Sequence, residues 1–236
     1  MKTIGMLGGM SWESTLNYYR AINEGVKEAL GGLHSAKIIL HSVDFAPIEA
    51  LQQKEDWDKT AEILSAAARS VELCGADFLI ICTNTMHKVA PRIQEAITIP
   101  ILHIADATAR VLQKNNIRRA GLLGTKFTME QDFYKSRLKD NFGIEVVVPA
   151  AEGREAIHRI IFEELCLGQI KKESGQRFLG IIGELRESGA EAVILGCTEI
   201  GLLIRQADTT MPLYDTTAIH AAGAVQFALS DNHSKP

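Results

Sequence analysis

An α/β architecture of two doubly wound parallel sheets is predicted by three features of this sequence. Strand-like apolar runs alternate with segments whose apolar residues recur at helical spacing. The run at 78–82 is short and apolar throughout, as expected of a strand at the centre of a parallel sheet. Three segments also recur in the same order at nearly one spacing. Gly5-Met6-Leu7-Gly8 resembles Gly121-Leu122-Leu123-Gly124; residues 75–83 resemble 189–197; Ile99-Pro100-Ile101-Leu102 resembles Met211-Pro212-Leu213-Tyr214. The offsets are 116, 114 and 112 residues. The ordered set divides the chain into two pseudo-symmetric halves, 1–103 plus 215–236 and 104–214, and predicts an active site between them.

In the first half, strands are predicted over 3–7, 37–43, 78–82 and 101–104, and helices over 12–30, 57–74 and 87–96. In the second half, strands are predicted over 119–123, 145–148, 192–195 and 212–214. Its helices are predicted near 129–140, 154–167, 174–188 and 199–206. A last helix over 216–229 packs back on the first half, and the polar tail 230–236 is expected to fray. Ligands of parallel α/β sheets sit beyond the carboxyl ends of the strands. The segments to read for chemistry are therefore 8–14, 44–53 and 83–87, then 125–128, 150–154 and 197–199.

Composition narrows the function. The chain has 236 residues, 46% hydrophobic and 23% charged, with a net charge of −4. No basic stripe points to nucleic acid. No apolar window of membrane-spanning length occurs, and the N-terminus lacks a signal-peptide pattern, so no membrane partner is expected. Four scattered cysteines do not make a disulfide scaffold; a reducing cytoplasm is the expected location. No metal-ligand spacing is present, and Gly5–Gly9 is not a dinucleotide fingerprint. The glycines there read as a tight turn that lets backbone approach a substrate.

The offset of 114 pairs Thr83 with Cys197, Asn84 with Thr198 and Thr85 with Glu199. A thiol and a hydroxyl on opposite sides of a cleft suit proton removal from one face of an amino-acid Cα and proton return to the other. Cys197 and Thr83 are the candidate catalytic residues. Met10, Ser11, Gln52, Asn84, Thr85, Thr125, Thr198 and Glu199 are the candidate substrate-binding residues. Helix starts after Thr83 and Cys197 would attract a carboxylate and lower the thiol pKa from ~8.5.

Each candidate has a plainer role beside the chemical one. Thr83, Asn84 and Thr85 are of helix-capping type. Glu199 either complements a helix N-terminus, tunes Cys197 or binds the substrate ammonium. His87 lies near the site or at the surface, and His103 reads as a core histidine. Gln53, Arg154, Lys171 and Lys172 are possible polar or cationic contacts whose ordinary place is the solvated surface. Strand alternation points Cys82 away from the cleft if Thr83 points in.

Gly-Met-Leu-Gly-Gly-Met at 5–10, Cys-Thr-Asn-Thr-Met-His at 82–87 and Gly-Cys-Thr-Glu at 196–199 resemble the aspartate/glutamate racemase family across nearly the whole chain. Glu199, and a first loop without Asp-Ser-Gly, are similar to the aspartate-racemase branch. The resemblance implies racemisation of aspartate or glutamate without pyridoxal phosphate or metal, a small acidic amino-acid substrate, a homodimer and a cysteine on each face. The family's first catalytic cysteine stands immediately before the asparagine; here that residue is Thr83. The family's second-half cysteine deprotonates the L-substrate. Carried to Cys197, this implies an enzyme favouring L-aspartate or L-glutamate, with Thr83 or a water it holds returning the proton. The other readings are a related maleate isomerase, hydantoin racemase or decarboxylase-like enzyme, or a non-catalytic binder of acidic ligands.

Overall fold

The computed structural model describes residues 1–230, so the expected fraying from residue 231 onward lies outside the described residues. The chain forms two units. Unit 1 holds Met1–Ile104 and resumes at His220; unit 2 is Ala105–Ile219.

The first elements are β1 (Ile4–Gly8), α1 (Trp12–Leu30), β2 (Ile38–Ser42), α2 (Phe45–Gln53), α3 (Trp57–Leu73), β3 (Phe78–Ile81) and α4 (Ala90–Ala96). Then come α5 (Ile104–Lys114), β4 (Arg119–Gly124), α6 (Lys126–Glu130), α7 (Asp132–Phe142), β5 (Glu145–Val147) and α8 (Ala151–Glu163). The chain finishes with α9 (Lys172–Glu187), β6 (Ala192–Gly196), α10 (Ile200–Leu203), β7 (Leu213–Asp215) and α11 (Thr216–Leu229). Helices α5 and α11 carry the chain out of unit 1 and back.

Unit 1 is a parallel sheet ordered β2-β1-β3. Every residue of β1 and β3 is buried, because helices cover both faces. The pleat sorts the side chains. Leu7, Leu79 and Ile81 join Ile48 of α2, Leu64 and Val71 of α3 and Ile93 of α4 in one core. Ile4, Met6, Phe78 and Ile80 join Tyr18, Ile22 and Val26 of α1 and Ala221, Ala224 and Phe227 of α11 in the other. The expected return of the last helix to the first sheet is thus seen in its packing.

Unit 2 is a parallel sheet ordered β5-β4-β6-β7. β6 is wholly buried, and Phe178, Ile181, Ile182 and Leu185 of α9 are buried in its core. The repeated glycines have a packing reason. A Cβ at Gly5 would lie 2.5 Å from Val71 Cγ1, and one at Gly121 would lie 2.8 Å from Leu185 Cδ1. In each unit the central strand gives up its side chain so that a helix can approach closely.

Several boundaries differ from expectation. The segment 44–53 is not a loop: Asp44 caps α2 by accepting Ala46 N–H at 3.3 Å. The strand expected over 101–104 is a single bridge between Ile101 and Leu79, because Ile104 opens α5, a helix missed in the sequence. The helix expected over 87–96 is a 3₁₀ turn, Thr85–Val89, followed by α4; Pro91 in the first turn of α4 lacks the N–H to continue a helix from upstream. The segment 129–140 splits into α6 and α7 around an extended Gln131. The helix expected over 199–206 is the four-residue α10, ended by extended Ile204. Among the described residues, no helix is long and apolar enough to cross a membrane.

Candidate functional site

In unit 1 the named residues gather at the carboxyl ends of the three strands. Met10 and Ser11 follow β1, Gln52 lies in the helix after β2, and Thr83, Asn84 and Thr85 follow β3. Met10, Gln52, Asn84 and Thr85 are buried, while Thr83 and Ser11 are partly exposed. Ser11 caps α1, its Oγ accepting Ser14 N–H at 3.3 Å. Gln53 is exposed and donates to Glu49 at 2.9 Å, which leaves Gln52 as the glutamine turned inward.

The glycine turn before Ser11 serves the fold. Gly9 has a φ of 94°, and a Cβ there would lie 2.2 Å from Val43 O. Its N–H donates to Thr15 Oγ1 at 2.8 Å. The turn packs closely on Val43 and Thr15.

Phe78, Ile80 and Cys82 lie in the core shared with α1 and α11, and Thr83, partly exposed, follows in the bend after β3. Cys82 is fully buried, and burial pushes its thiol pKa up, away from a proton-transfer role. The expected capping role of Thr83 and Asn84 is not realised. Asn84 heads the 3₁₀ turn but makes no side-chain cap bond. Thr83 N–H donates to Ile81 O at 2.9 Å, and its carbonyl accepts from His87 Nδ1 at 2.8 Å.

In unit 2, β4 and β6 pair in register up to Gly124 opposite Gly196, so Thr125 and Cys197 leave the sheet from neighbouring positions. Thr125 caps α6, its Oγ1 accepting Thr128 N–H at 3.4 Å. Cys197 Sγ donates to Glu199 Oε2 at 3.0 Å, and Thr198 Oγ1 donates to the same oxygen at 2.6 Å. Glu199 is 7% exposed and makes no cap bond to α10. Its carboxylate is committed to the thiol loop.

This arrangement reverses one expectation. Burial first, and then the Glu199 carboxylate, raise the Cys197 pKa well above the usual thiol range. α10 has only four residues, too short for the macrodipole that was expected to favour a thiolate. Cys197 rests as a thiol with a proton acceptor in contact.

Two of the three cationic candidates of unit 2, Arg154 and Lys171, are paired locally. Arg154 donates to Glu130 at 2.8 Å and to Pro149 O at 2.7 Å, and Lys171 lies 3.4 Å from Glu164. His87 lies in the loop that follows β3, its Nδ1 hydrogen-bonded to the Thr83 carbonyl. It is 1% exposed, not at the surface, and its place four residues after Thr83 was the available signal for this contact. Among the described residues, no three His, Cys, Asp or Glu side chains group as metal ligands.

Residues 7–224 match the model of the Asp/Glu/hydantoin racemase family. The chain is 54% identical to a Yersinia pestis protein provisionally described as an Asp/Glu racemase, covering 98% of this chain and 100% of that one, with a TM-score of 0.92. It is 38% identical to an aspartate racemase homologue from Pyrococcus horikoshii OT3, covering 98% and 100%, with a TM-score of 0.85. A broad specificity amino-acid racemase of Bacillus subtilis (strain 168) is 23% identical over 235 residues, covering 96% of this chain and 98% of its own. The chain belongs to the Asp/Glu/hydantoin racemase family.

Proposed function

We propose that this protein is a cofactor-independent racemase of aspartate and glutamate that favours the L-enantiomer, with Cys197 as its catalytic thiol. The observation that carries the reading is the Cys197–Glu199 contact at the end of β6. A thiol must lose its proton before it can remove another from carbon, and Glu199 Oε2 stands ready to take it. That transfer leaves one negative charge where one stood before, now on sulfur, next to a neutral carboxyl group. A bound substrate ammonium would favour it further. The thiolate takes the Cα proton of the L-substrate, and Thr83, or a water it holds, returns a proton from the other face.

Thr83 sets the direction. A hydroxyl can give a proton to a carbanion if water then restores it, but it does not rest as an alkoxide able to attack a carbon acid. Abstraction from the D-enantiomer is therefore weak. Ser11, Asn84, Thr85, Thr125 and Thr198 supply hydroxyl and amide partners for the carboxylate and ammonium, beside Met10, with Gln52 as a polar contact of the first unit. A cytoplasmic homodimer completes the proposal. A hydantoin is the second substrate reading, favoured by the breadth of the matching family. Deuterium wash-in at Cα of recovered, uninverted L- and D-aspartate and L- and D-glutamate in heavy water tests the proposal, since kcat/KM for inversion must be equal in the two directions of a racemisation; equal wash-in into the two enantiomers overturns the directional claim.

A further inference from the structure

His87 holds two main-chain groups with one ring. Its Nδ1 is 2.8 Å from Thr83 O, and its Nε2 is 3.2 Å from Ile104 N. A peptide N–H only donates, so Nε2 carries no proton. The neutral ring then carries its hydrogen on Nδ1 and donates it to the Thr83 carbonyl. Both bonds exist together in this one tautomer.

The ring has little freedom to adopt another pose. It packs edge-on against His103, with centroids 4.5 Å apart, and against His220, with centroids 5.8 Å apart. His220 is itself pinned: its Nε2 donates to Leu102 O at 2.7 Å, and its Nδ1 lies 2.9 Å from Tyr18 Oη. Ile104 is where the chain leaves unit 1, and His220 is where it returns. The imidazoles therefore stand at both crossings, and one of them reaches Thr83.

We propose that His87 is a positioning residue for proton return by Thr83. The inference rests on the proton-handling reading of Thr83. Thr83 stands two residues beyond the last residue of β3, and the turn after it is a five-residue 3₁₀ helix. His87 fixes the Thr83 carbonyl against the first residue of α5, and with it the direction in which the hydroxyl leaves the backbone. Misplacement of a reacting group by ~1 Å can cost ~10²-fold in rate.

The test separates the two halves of the reaction. L-Aspartate and L-glutamate are incubated in heavy water with wild type, His87→Asn and His87→Gln. Deuterium appearing at Cα of the recovered L-substrate reports abstraction and return by Cys197; D-product reports inversion, which also needs Thr83. Asn keeps a donor near the Nδ1 position, and Gln keeps an acceptor near the Nε2 position. The expected result is inversion about tenfold or more slower in His87→Gln, with wash-in little changed, and inversion largely kept in His87→Asn. Equal inversion rates in the two variants, or equal loss of wash-in and inversion in both, overturn the inference. Wild type showing neither wash-in nor inversion overturns the racemase reading itself and this inference with it.

Discussion

The thiol of Cys197 and the carboxylate of Glu199 share a hydrogen bond of 3.0 Å, two residues apart on the turn that ends β6. The pair has opposite effects on the two things a catalytic cysteine needs. The carboxylate's charge discourages the thiolate, yet its oxygen is the nearest acceptor for the proton that must leave.

Glu199→Gln separates these effects. The amide carries no charge, so the Cys197 thiol should ionise at lower pH, read as a downward shift in the midpoint of iodoacetamide alkylation against pH. Turnover should nevertheless fall by about 10²-fold or more, the usual scale for loss of a positioned proton acceptor. Faster alkylation with undiminished turnover would remove Glu199 from the proton path.

Thr83→Cys should raise kcat on D-aspartate and D-glutamate, because a thiol can serve as the base that a hydroxyl cannot. Steady-state rates in both directions check this. Unchanged activity on the D-enantiomers would mean that position 83 does not face Cα.

His220 predicts an acid-labile unit 1. Burial lowers its pKa from 6.5 to about 4, opposed in part by its bond to Leu102 O. The unfolded chain therefore takes up a proton more readily than the folded one. The resulting stabilisation is fully present above about pH 6.5 and is lost as pH falls toward about 4. The loss from this group is of order 3 kcal/mol. Urea unfolding at pH 7 and pH 4 measures it, and His220→Gln should flatten the dependence across that window. Equal dependence in wild type and variant would locate the acid sensitivity elsewhere.

The glycines make a paired prediction. Gly5→Ala drives a Cβ to 2.5 Å from Val71 Cγ1 and 2.9 Å from Phe78 O, and should destabilise by roughly 1–3 kcal/mol. Gly180→Ala in α9 meets nothing within 4 Å and should stabilise by up to about 1 kcal/mol through helix propensity. Thermal melts of the two variants check the sign of each.

The repeat carried much of this architecture into view. A strand with glycine beneath a helix, and a short apolar strand followed by a polar turn, occur twice because each solves the same packing problem twice. That placed Thr83 and Cys197 at matching strand ends before any coordinates. Pleat alternation also turned Cys82 away, and it lies in the core with Tyr18 and Ile80. Other features depend on interactions that a single sequence does not display. The raised pKa of Cys197 follows first from its burial and then from the fold of Glu199 back onto Sγ, neither of which the helix start in the sequence displays. His87 gains its meaning from Ile104, seventeen residues away, where the chain passes from the Ile101 bridge into α5. Helix α5 was missed because the apolar run entering it resembles the strand it replaces.

The central claim is tested most directly by Cα deuterium incorporation from heavy water into L-aspartate and L-glutamate, with wild type beside Cys197→Ala. The account predicts incorporation by wild type and none above background by the variant. Incorporation at an undiminished rate in Cys197→Ala would contradict it.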